Sequence, residues 1–541
     1  MSEIINLFLF YLFYFLFFVA TLGYGRIICF SIFTNKRANF FDPIFFGTLF
    51  YLLIGYVLYL TLGISHYTNI TVLVFGIILF FWKKNETKIL NIPNIFIFLL
   101  IFFSGLLTSK THVDFSAYHF FSIYQIFDSK LTIGLPLINF RFAHASLLSF
   151  NQSLFVLPFF NFKLINLPIF FIYISTVGYF LYQYHYLSKN FLEKFYCLFV
   201  LSIALIKFSR LSEYGYDIPS QFLLLVVFHK IYFANGSQSE VIKSFILFAL
   251  TIMIKTISIF FFPIFITLFF KKRFNEIIAI FKKRSFVVIS IILFLIFVSN
   301  SFLRTACFFY PINQTCFSNE KIFWSQKKEL QAYKAIVSNH AKGYYHQDKS
   351  KYEPIKDNQE YIKNFSWIKY WIDIHFFYKI FEFLLICVFI FLLLYFLTTK
   401  EKKSFYLKNY NLILFLTIVS IFFWFITIPQ LRFILSSIVI FIFIIFFIFF
   451  KKVLTFKKKG IFIFLIFVIL VFNTKNFVRI NNELNVKTVQ HFTNFPWYEQ
   501  QIQYQNLSNF FESELSEKVS PEFDVEQNEY NFVRVIKKRS K

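Results

Sequence analysis

The sequence predicts an all-α protein, a polytopic bundle of helices that crosses a lipid bilayer about fourteen times. Of its 541 residues, 58% are hydrophobic and only 15% are charged, whereas a soluble domain has roughly 25% charged residues. Its 13 Gly and 12 Pro are too few for a loop-rich or all-β chain. The apolar residues fall in runs of about 15 to 22, the length that a helix needs to cross a hydrocarbon layer of roughly 30 Å.

The runs define the predicted spans. They lie at residues 4–22, 44–63, 67–83, 92–108, 164–186, 195–208, 218–234, 242–256, 257–270, 285–302, 377–397, 411–428, 431–450 and 459–474. No basic segment precedes the first run and no small-residue cleavage site clearly follows it. This favours a first span over a cleavable signal peptide.

The short connections indicate the orientation of the chain. Clusters of Lys and Arg follow the odd-numbered spans, whereas the short even-numbered connections carry few. The clusters lie at 26–37, 83–88, 189–194, 271–284, 400–403 and 451–459. By the positive-inside rule, we expect both termini to lie outside.

The net charge of +26 comes from 54 Lys and Arg against 28 Asp and Glu. Much of the excess lies in the clusters at the ends of apolar runs. This placement favours orientation signals and anionic headgroups as its cause, rather than nucleic acid. We therefore expect membrane lipid as a partner, and no nucleic acid.

One further apolar segment, 145–160, would invert every later connection if it crossed the bilayer, so we interpret it as re-entrant or interfacial. The predicted organisation then has six parts. These are N-terminal helices at 1–108, a first outside loop with the re-entrant segment at 109–163, central helices at 164–302, a large outside loop at 303–376, C-terminal helices at 377–474 and a polar tail at 475–541.

The first outside loop carries the candidate catalytic residues. Asp114 closely follows the fourth span, and in a helix Tyr118 would lie one turn later on the same face, beside His119. A carboxylate at a membrane–water boundary can act as a general base, and partial burial raises its pKa toward that role. The spacing alone favours the alternative, in which Asp114 caps the next helix. Farther along, Arg141 and His144 are candidates for phosphate binding, or for a headgroup anchor.

Three other stretches place charge at the ends of spans. The connection 209–219 holds Glu213 and Asp217, Lys255 interrupts two half-length apolar runs, and Arg432 lies between two spans. Ionisable residues at membrane depth are costly and are therefore candidates for function. We expect these four residues to bind substrate, with Lys255 as an anion ligand. The alternatives are a solvated turn and simple anchors at helix ends.

Of the five cysteines, only Cys307 and Cys316 share a polar loop. An oxidising exterior would join them in a disulfide, and two free thiols are the alternative. No Cys/His cluster has the spacing of a zinc site. We therefore predict no metal-ligating residues, and the question of a divalent metal cofactor stays open.

The loops resemble those of a group of uncharacterised bacterial polytopic membrane proteins. The resemblance rests on Asp114-FSAYH-119, on Gly134-LPLINFRFAHASLLSFNQSLFVLP-158, and on SRLSEYGYDIP, KTISIFFFP and CFFYPINQTCFSNEKIFW farther along. It covers roughly residues 90–440. The layout is in turn similar to the GT-C superfamily of glycosyltransferases, which take a sugar from a polyprenyl-phosphate carrier at the outer face of a membrane.

This resemblance implies GT-C-like outside loops, a polyprenyl-phosphate sugar donor and transfer to a cell-envelope acceptor outside a bacterial inner membrane. An acidic residue in the first large outside loop is the usual catalytic group of that superfamily, and Asp114 is the matching position, with His119 assisting. Here the loop follows the fourth span rather than the first, and it lacks a paired Asp. Two other functions stay open. They are a surface-polysaccharide polymerase or ligase that relies on Arg and His in 303–376, and a transporter or flippase.

Overall fold

The computed structural model describes residues 2–32, 39–82, 92–107, 118–128, 131–138, 140–144, 146–188, 190–208, 215–233, 238–270, 278, 280–400, 410–449, 454–485, 523–528 and 533–538. Over these ranges the protein is a bundle of helices with two small sheets. Helices α1 to α20 are, in order, Ser2–Ile32, Asp42–Thr61, His66–Trp82, Ile92–Leu106, Phe120–Asp128, Leu135–Ile138, Leu148–Ser153, Leu167–Tyr182, Phe191–Lys207, Asp217–Tyr232, Gln238–Ile254, Ile266–Phe270, Arg284–Thr305, Glu329–Ala341, Asn358–Ile362, Trp367–Trp371, Glu382–Phe396, Tyr410–Thr427, Leu435–Phe449 and Lys458–Asn485.

A helix lies in each predicted range, and the helical fold class is confirmed. Within the described ranges, seven helical stretches are long and apolar enough to cross a membrane, namely Ile4–Ile32, Asp42–Thr61, Phe162–Leu187, Arg284–Thr305, Trp367–Phe396, Tyr410–Thr427 and Lys458–Asn482. Four shorter apolar helices are His66–Trp82, Ile92–Leu106, Thr256–Leu268 and Leu435–Ile448. The three remaining ranges hold α9, α10 and α11, which lie in the interior and carry more polar residues.

The interior of the bundle is built around α8, in which every residue except Leu181 is buried. Helices α2, α9 and α10 pack against it. Buried tyrosines join these helices, because the Tyr173 hydroxyl donates to the Ala204 carbonyl and the Tyr196 hydroxyl donates to the Leu225 carbonyl, each at 3.1 Å. Such interhelical hydrogen bonds satisfy polar groups that an apolar interior would otherwise leave unpaired.

The outer helices carry large apolar side chains on their outward surfaces. Leu100 on α4, Phe389 on α17 and Phe462 on α20 are all exposed, Phe462 by 66%. A belt of this kind is unfavourable in water and marks a surface that contacts lipid or another apolar partner.

The segment predicted to be re-entrant contains α7, a helix of six residues. At 1.5 Å per residue it is about 9 Å long, far less than the roughly 30 Å of a hydrocarbon layer. Residues 154–157 after this helix are buried, and Asn69 of α3 donates to the carbonyls of Ser153 and Val156 at 2.8 and 2.7 Å. At Gly55 on α2, a Cβ atom would lie 2.6 Å from the Phe150 carbonyl oxygen, so only glycine allows this approach.

The chain after α11 is irregular. Lys255 ends α11, and a 3₁₀ helix follows at Thr256–Phe265 before α12. The sequence predicted an ordinary span at 257–270. Because a 3₁₀ helix rises about 2.0 Å per residue, this short segment reaches farther than an α-helix of the same length.

Two small sheets were not predicted. Strands β1 (Leu131–Ile133), β4 (Phe523–Asn528) and β5 (Val533–Lys538) form one sheet in the order β1-β5-β4. Strands β2 (Thr398–Lys400) and β3 (Leu454–Phe456) form the other, antiparallel sheet. In the first sheet, β5 is parallel to β1, with Thr132 opposite Arg534. The C-terminal tail therefore returns to the first predicted outside loop.

The predicted large loop, 303–376, is itself folded. It contains the Cys307–Cys316 disulfide and α14 to α16. Its last part joins the next span without a break, because α16, the π-helical segment Ile372–Phe381 and α17 form one helical stretch. Trp367 and Trp371 in this stretch are buried, and Trp371 donates to the Pro429 carbonyl at 2.6 Å.

Candidate functional site

Three of the predicted substrate-binding residues meet at one end of the bundle, which we call the site end. The Lys255 ammonium lies 2.7 Å from Asp217 Oδ1, and Arg432 Nε lies 3.4 Å from Asp217 Oδ2. The Asp217 side chain is 12% exposed, whereas those of Lys255 and Arg432 are 26% and 37% exposed. A carboxylate thus lies beneath two basic groups that are open to the exterior.

Local structure explains how each of the three groups reaches this point. Asp217 is the first residue of α10, where the helix dipole favours a negative charge. Lys255 closes α11, its backbone N–H donating to the Thr251 carbonyl at 2.8 Å. Arg432 lies in the 3₁₀ turn Leu431–Phe433 between α18 and α19.

Gln221 attaches that turn to α10. Its amide donates to the Phe433 carbonyl at 3.1 Å, and its oxygen accepts from the Ser436 N–H at 3.1 Å and from the Ser436 hydroxyl at 2.7 Å. Because Gln221 lies one helical turn beyond Asp217, the same face of α10 fixes both the carboxylate and the turn that carries Arg432.

The electrostatics keep Asp217 ionised. Burial on its own would raise the pKa of Asp217, but Lys255 and Arg432, with His119 as a lesser contributor, outweigh burial and place that pKa below its usual value. The three-residue cluster therefore carries one negative and two positive charges at neutral pH.

His119, a predicted catalytic residue, lies next to this cluster. It is buried, and its ring centroid lies 4.5 Å from that of Tyr216, the residue before Asp217. The Tyr216 hydroxyl donates to Gln152 of α7 at 2.8 Å. The short helix of the re-entrant segment thus supports the residues beside the site.

Tyr118 and Arg141 form a separate contact. The rings of Tyr118 and His119 are 4.1 Å apart, and the Arg141 guanidinium carbon lies 5.9 Å from the Tyr118 ring centroid. Arg141 is exposed. Arg141 therefore lies over an aromatic ring beside His119.

His144 and Lys255 both line a small cavity. The cavity has a volume of about 50 Å³, and Asn300, Ser301 and Tyr310 contribute polar groups to its wall. The His144 ring lies 4.7 Å from that of Tyr310. Burial, and then the Lys255 ammonium, lower the pKa of His144 to about 3. His144 is therefore a neutral hydrogen-bonding group at neutral pH.

The Cys307–Cys316 disulfide supports this cavity wall. Cys307, Cys316 and Tyr310 pack with Ala143 and Leu330 in one apolar cluster. The disulfide therefore holds the loop that carries Tyr310 against the turn that carries His144.

Three histidines near Arg432 were not predicted. His340 Nδ1 lies 3.4 Å from Gln430 Nε2, and Gln430 Oε1 accepts from Arg432 Nε at 3.0 Å. The ring of His346 lies 5.4 Å from that of His340, and His375 has Lys379, both of these histidines and Arg432 as basic neighbours. The sequence signal for this group was the cluster of His in an otherwise polar loop. Spacing alone does not indicate that residues 340–346 lie near residue 432.

A second charged cluster, also not predicted, lies at the opposite end of α10, about 20 Å from Asp217 along the helix. Lys230 contacts Asp42 and Glu240, each at 2.7 Å, and Lys243 contacts the same two carboxylates at 2.8 and 2.6 Å. Except for the partly buried Glu240, these side chains are at most 1% exposed. The four charges form a closed, neutral ring, which we call the charge ring.

Two predicted site residues, Asp114 and Glu213, lie outside the described residues. Within the residues that are described, no group of three or more His, Cys, Asp or Glu could hold a metal ion. The structure therefore adds nothing to the open question of a divalent metal.

The fold and site define a class of protein, an all-α bundle with an apolar exterior and a charged site at one end. The chain belongs to the family described as a domain of unknown function (DUF8201), whose model matches residues 6–439. The match covers Asp217, Lys255 and Arg432 and ends within α19. Neither the curated proteins nor the solved structures gave a match to the chain.

Proposed function

We propose that the protein is an integral membrane glycosyltransferase of the GT-C kind. It takes a sugar from a polyprenyl-phosphate carrier and transfers it to a cell-envelope acceptor at the outer face of a bacterial inner membrane. The observation that carries the proposal is the convergence of Lys255 and Arg432 on one carboxylate that is only 12% exposed, at the end of a bundle with an apolar exterior.

The proposal includes about fourteen membrane crossings, with both termini outside. The exposed apolar side chains of the outer helices support a lipid-facing surface. The pairing of β1 with β5 supports the orientation, because the tail and the first predicted outside loop must then lie on the same side.

The charges at the site end fit a phosphate group. The pairing of Lys255 and Arg432 with Asp217 leaves one net positive charge. Arg can bind phosphate through two parallel hydrogen bonds, and a Lys ammonium binds it as a point charge. In this scheme the carrier tail lies along the apolar exterior while its phosphate lies between Lys255 and Arg432.

The proposed reaction is a displacement at the anomeric carbon of the donor sugar. Asp114 accepts the proton of the acceptor hydroxyl, whose oxygen forms the new bond to that carbon. The bond from that carbon to the phosphate oxygen breaks, and the carrier leaves as polyprenyl phosphate. Lys255 and Arg432 stabilise the developing negative charge of the leaving group, and His119 lies beside the cluster as an additional polar group.

The test is the substitution Asp114→Asn in cells whose envelope glycan requires this protein. The variant keeps the shape of the side chain but removes the base, so we expect the glycan to disappear from the envelope while the amount of protein in the membrane is unchanged. Mass spectrometry of envelope glycans measures the product. Asp373→Asn is the control, because Asp373 pairs with the exposed Lys351 instead. Wild-type glycan levels in Asp114→Asn would contradict the proposal.

A second candidate function is a surface-polysaccharide polymerase or ligase. It is favoured by the three histidines of 303–376 near Arg432, because this function should rely on His and Arg of that loop. Arg304 also lies at the site end, where its guanidinium donates to the Asn300 side chain at 3.1 Å. Parallel substitutions Asp114→Asn and Arg304→Gln separate the two functions. Loss of product only in Arg304→Gln favours the polymerase or ligase.

A further inference from the structure

We infer that the protein has a second phosphate subsite, formed by His340, His346, His375 and Lys379 beside Arg432, and that its lipid carrier therefore bears a diphosphate. This inference rests on the proposed function, since it extends the phosphate site at Lys255 and Arg432 by one phosphoryl group, and the group that leaves the donor sugar is then the polyprenyl diphosphate.

The first support is the arrangement of the loop 340–346. A Cβ atom on Gly343, whose φ of +93° favours glycine, would lie 3.8 Å from His375 Cδ2. The turn between His340 and His346 is thus packed directly against His375. Through Gln430, the same loop is joined to Arg432 at 3.4 and 3.0 Å.

The second support is an unsatisfied polar atom. His375 is 6% exposed, and its Nε2 has no hydrogen-bond partner among the described residues. A buried polar atom without a partner is costly, so it is found where a ligand or water supplies the missing bond. The neighbours that act on His375 are Lys379, His346, His340 and Arg432, all of them basic. An anion is the ligand that this environment favours.

The third support is the balance of charge around the subsite. Lys379 has Arg432 and Lys349 as its charged neighbours. Two carboxylates near this region already pair with cations: Asp373 contacts Lys351 at 3.8 Å, and Asp217 contacts Lys255. The positive charge beyond Arg432 is therefore not balanced by these groups. One phosphate engages Lys255 and Arg432, and a second, on the far side of Arg432, meets Lys379 and the histidines.

The experiment measures the binding of two defined probes, farnesyl phosphate and farnesyl diphosphate, to the full chain in lipid nanodiscs at neutral pH with EDTA. We expect the wild type to bind the diphosphate about tenfold more tightly, as one or two additional charge-assisted hydrogen bonds imply. His375→Gln and Lys379→Gln should reduce that preference to about twofold or less, with unchanged affinity for farnesyl phosphate. Lys379 is exposed, so its substitution does not threaten folding. Lys321→Gln is the matched control, because Lys321 is an exposed lysine of the same loop that is not among the neighbours of His375, and this variant should bind as the wild type does.

The outcomes separate the two proposals. Equal affinity of the wild type for both probes, or a preference that survives in both variants, overturns the diphosphate subsite and leaves the proposed function intact. If neither probe binds the wild type, both the subsite and the proposed phosphate site are wrong. A loss of affinity for both probes in Lys379→Gln also overturns the separate subsite.

Discussion

The Lys255 ammonium lies 2.7 Å from Asp217 Oδ1, at the point where α11 ends and a 3₁₀ helix begins. Helices α10 and α11 pack along each other, with this pair at one end and the charge ring at the other. The hairpin of α10 and α11 is therefore fixed by charged contacts at both ends. The geometry of the site depends on both sets of contacts.

Breaking the charge ring should strongly destabilise the protein. Lys243→Met leaves Asp42 and Glu240 with a single cation in a buried setting, which costs roughly 3–5 kcal/mol. The double variant Asp42→Asn/Lys243→Met removes the excess charge and should recover part of the loss. Thermal unfolding in one detergent, followed by tryptophan fluorescence, measures both variants.

Lys207→Met is the control for that series. Its pair with Glu382 is partly exposed, the two side chains being 24% and 56% accessible, so the loss should be less than about 1 kcal/mol. Equal losses in Lys207→Met and Lys243→Met would show that burial of the charge ring has no energetic consequence.

His144 should make stability depend on pH. Its pKa is about 3 in the folded protein and about 6.5 in an unfolded chain. Between these values the unfolded state binds more protons, so this contribution to stability is complete above about pH 6.5 and is lost as the pH falls toward about 3. The stability of the wild type relative to His144→Gln should therefore decrease between pH 7 and pH 4. A difference that is constant over this range would contradict the buried, neutral His144.

The tail should be attached to the first loop through β5. Cysteines placed at Thr132 and Arg534, which are opposite each other in the β1–β5 register, should cross-link readily. The control is Thr132 with Gln527, which is opposite Arg534 on β4 and so lies one strand farther away. Two strand spacings are about 9.6 Å, too far for a disulfide. If only the control pair, Thr132 with Gln527, cross-linked efficiently, β5 would not lie beside β1.

The sequence predicted the helices because long apolar runs have few alternatives in lipid, and it predicted the break at Lys255 because a lysine between two half-length runs is costly. It singled out Asp217, Lys255 and Arg432 one by one. Their contact was not predictable, because it depends on Gln221 attaching the Leu431–Phe433 turn to α10. The pattern of residues within one segment does not indicate a hydrogen bond to a segment that is distant in the sequence.

Other features were missed for physical reasons that the structure makes clear. The charge ring combines residues near the ends of three helices, and each residue alone resembles an ordinary flanking charge. Trp367 and Trp371 have the composition of an interface belt, but their indoles pack inside and one donates to Pro429. The strands of the tail are short, β4 and β5 pair with each other, and their addition to β1 joins segments about 400 residues apart in the sequence.

The most direct test of the account is the affinity of the full chain in nanodiscs for farnesyl phosphate, compared with farnesol, which has the same tail and no phosphate. We predict that the wild type prefers farnesyl phosphate, and that Lys255→Gln and Arg432→Gln each weaken its binding about tenfold without changing that of farnesol. Equal binding of the two probes, or unchanged affinity for farnesyl phosphate in both variants, would contradict a phosphate site at Lys255 and Arg432.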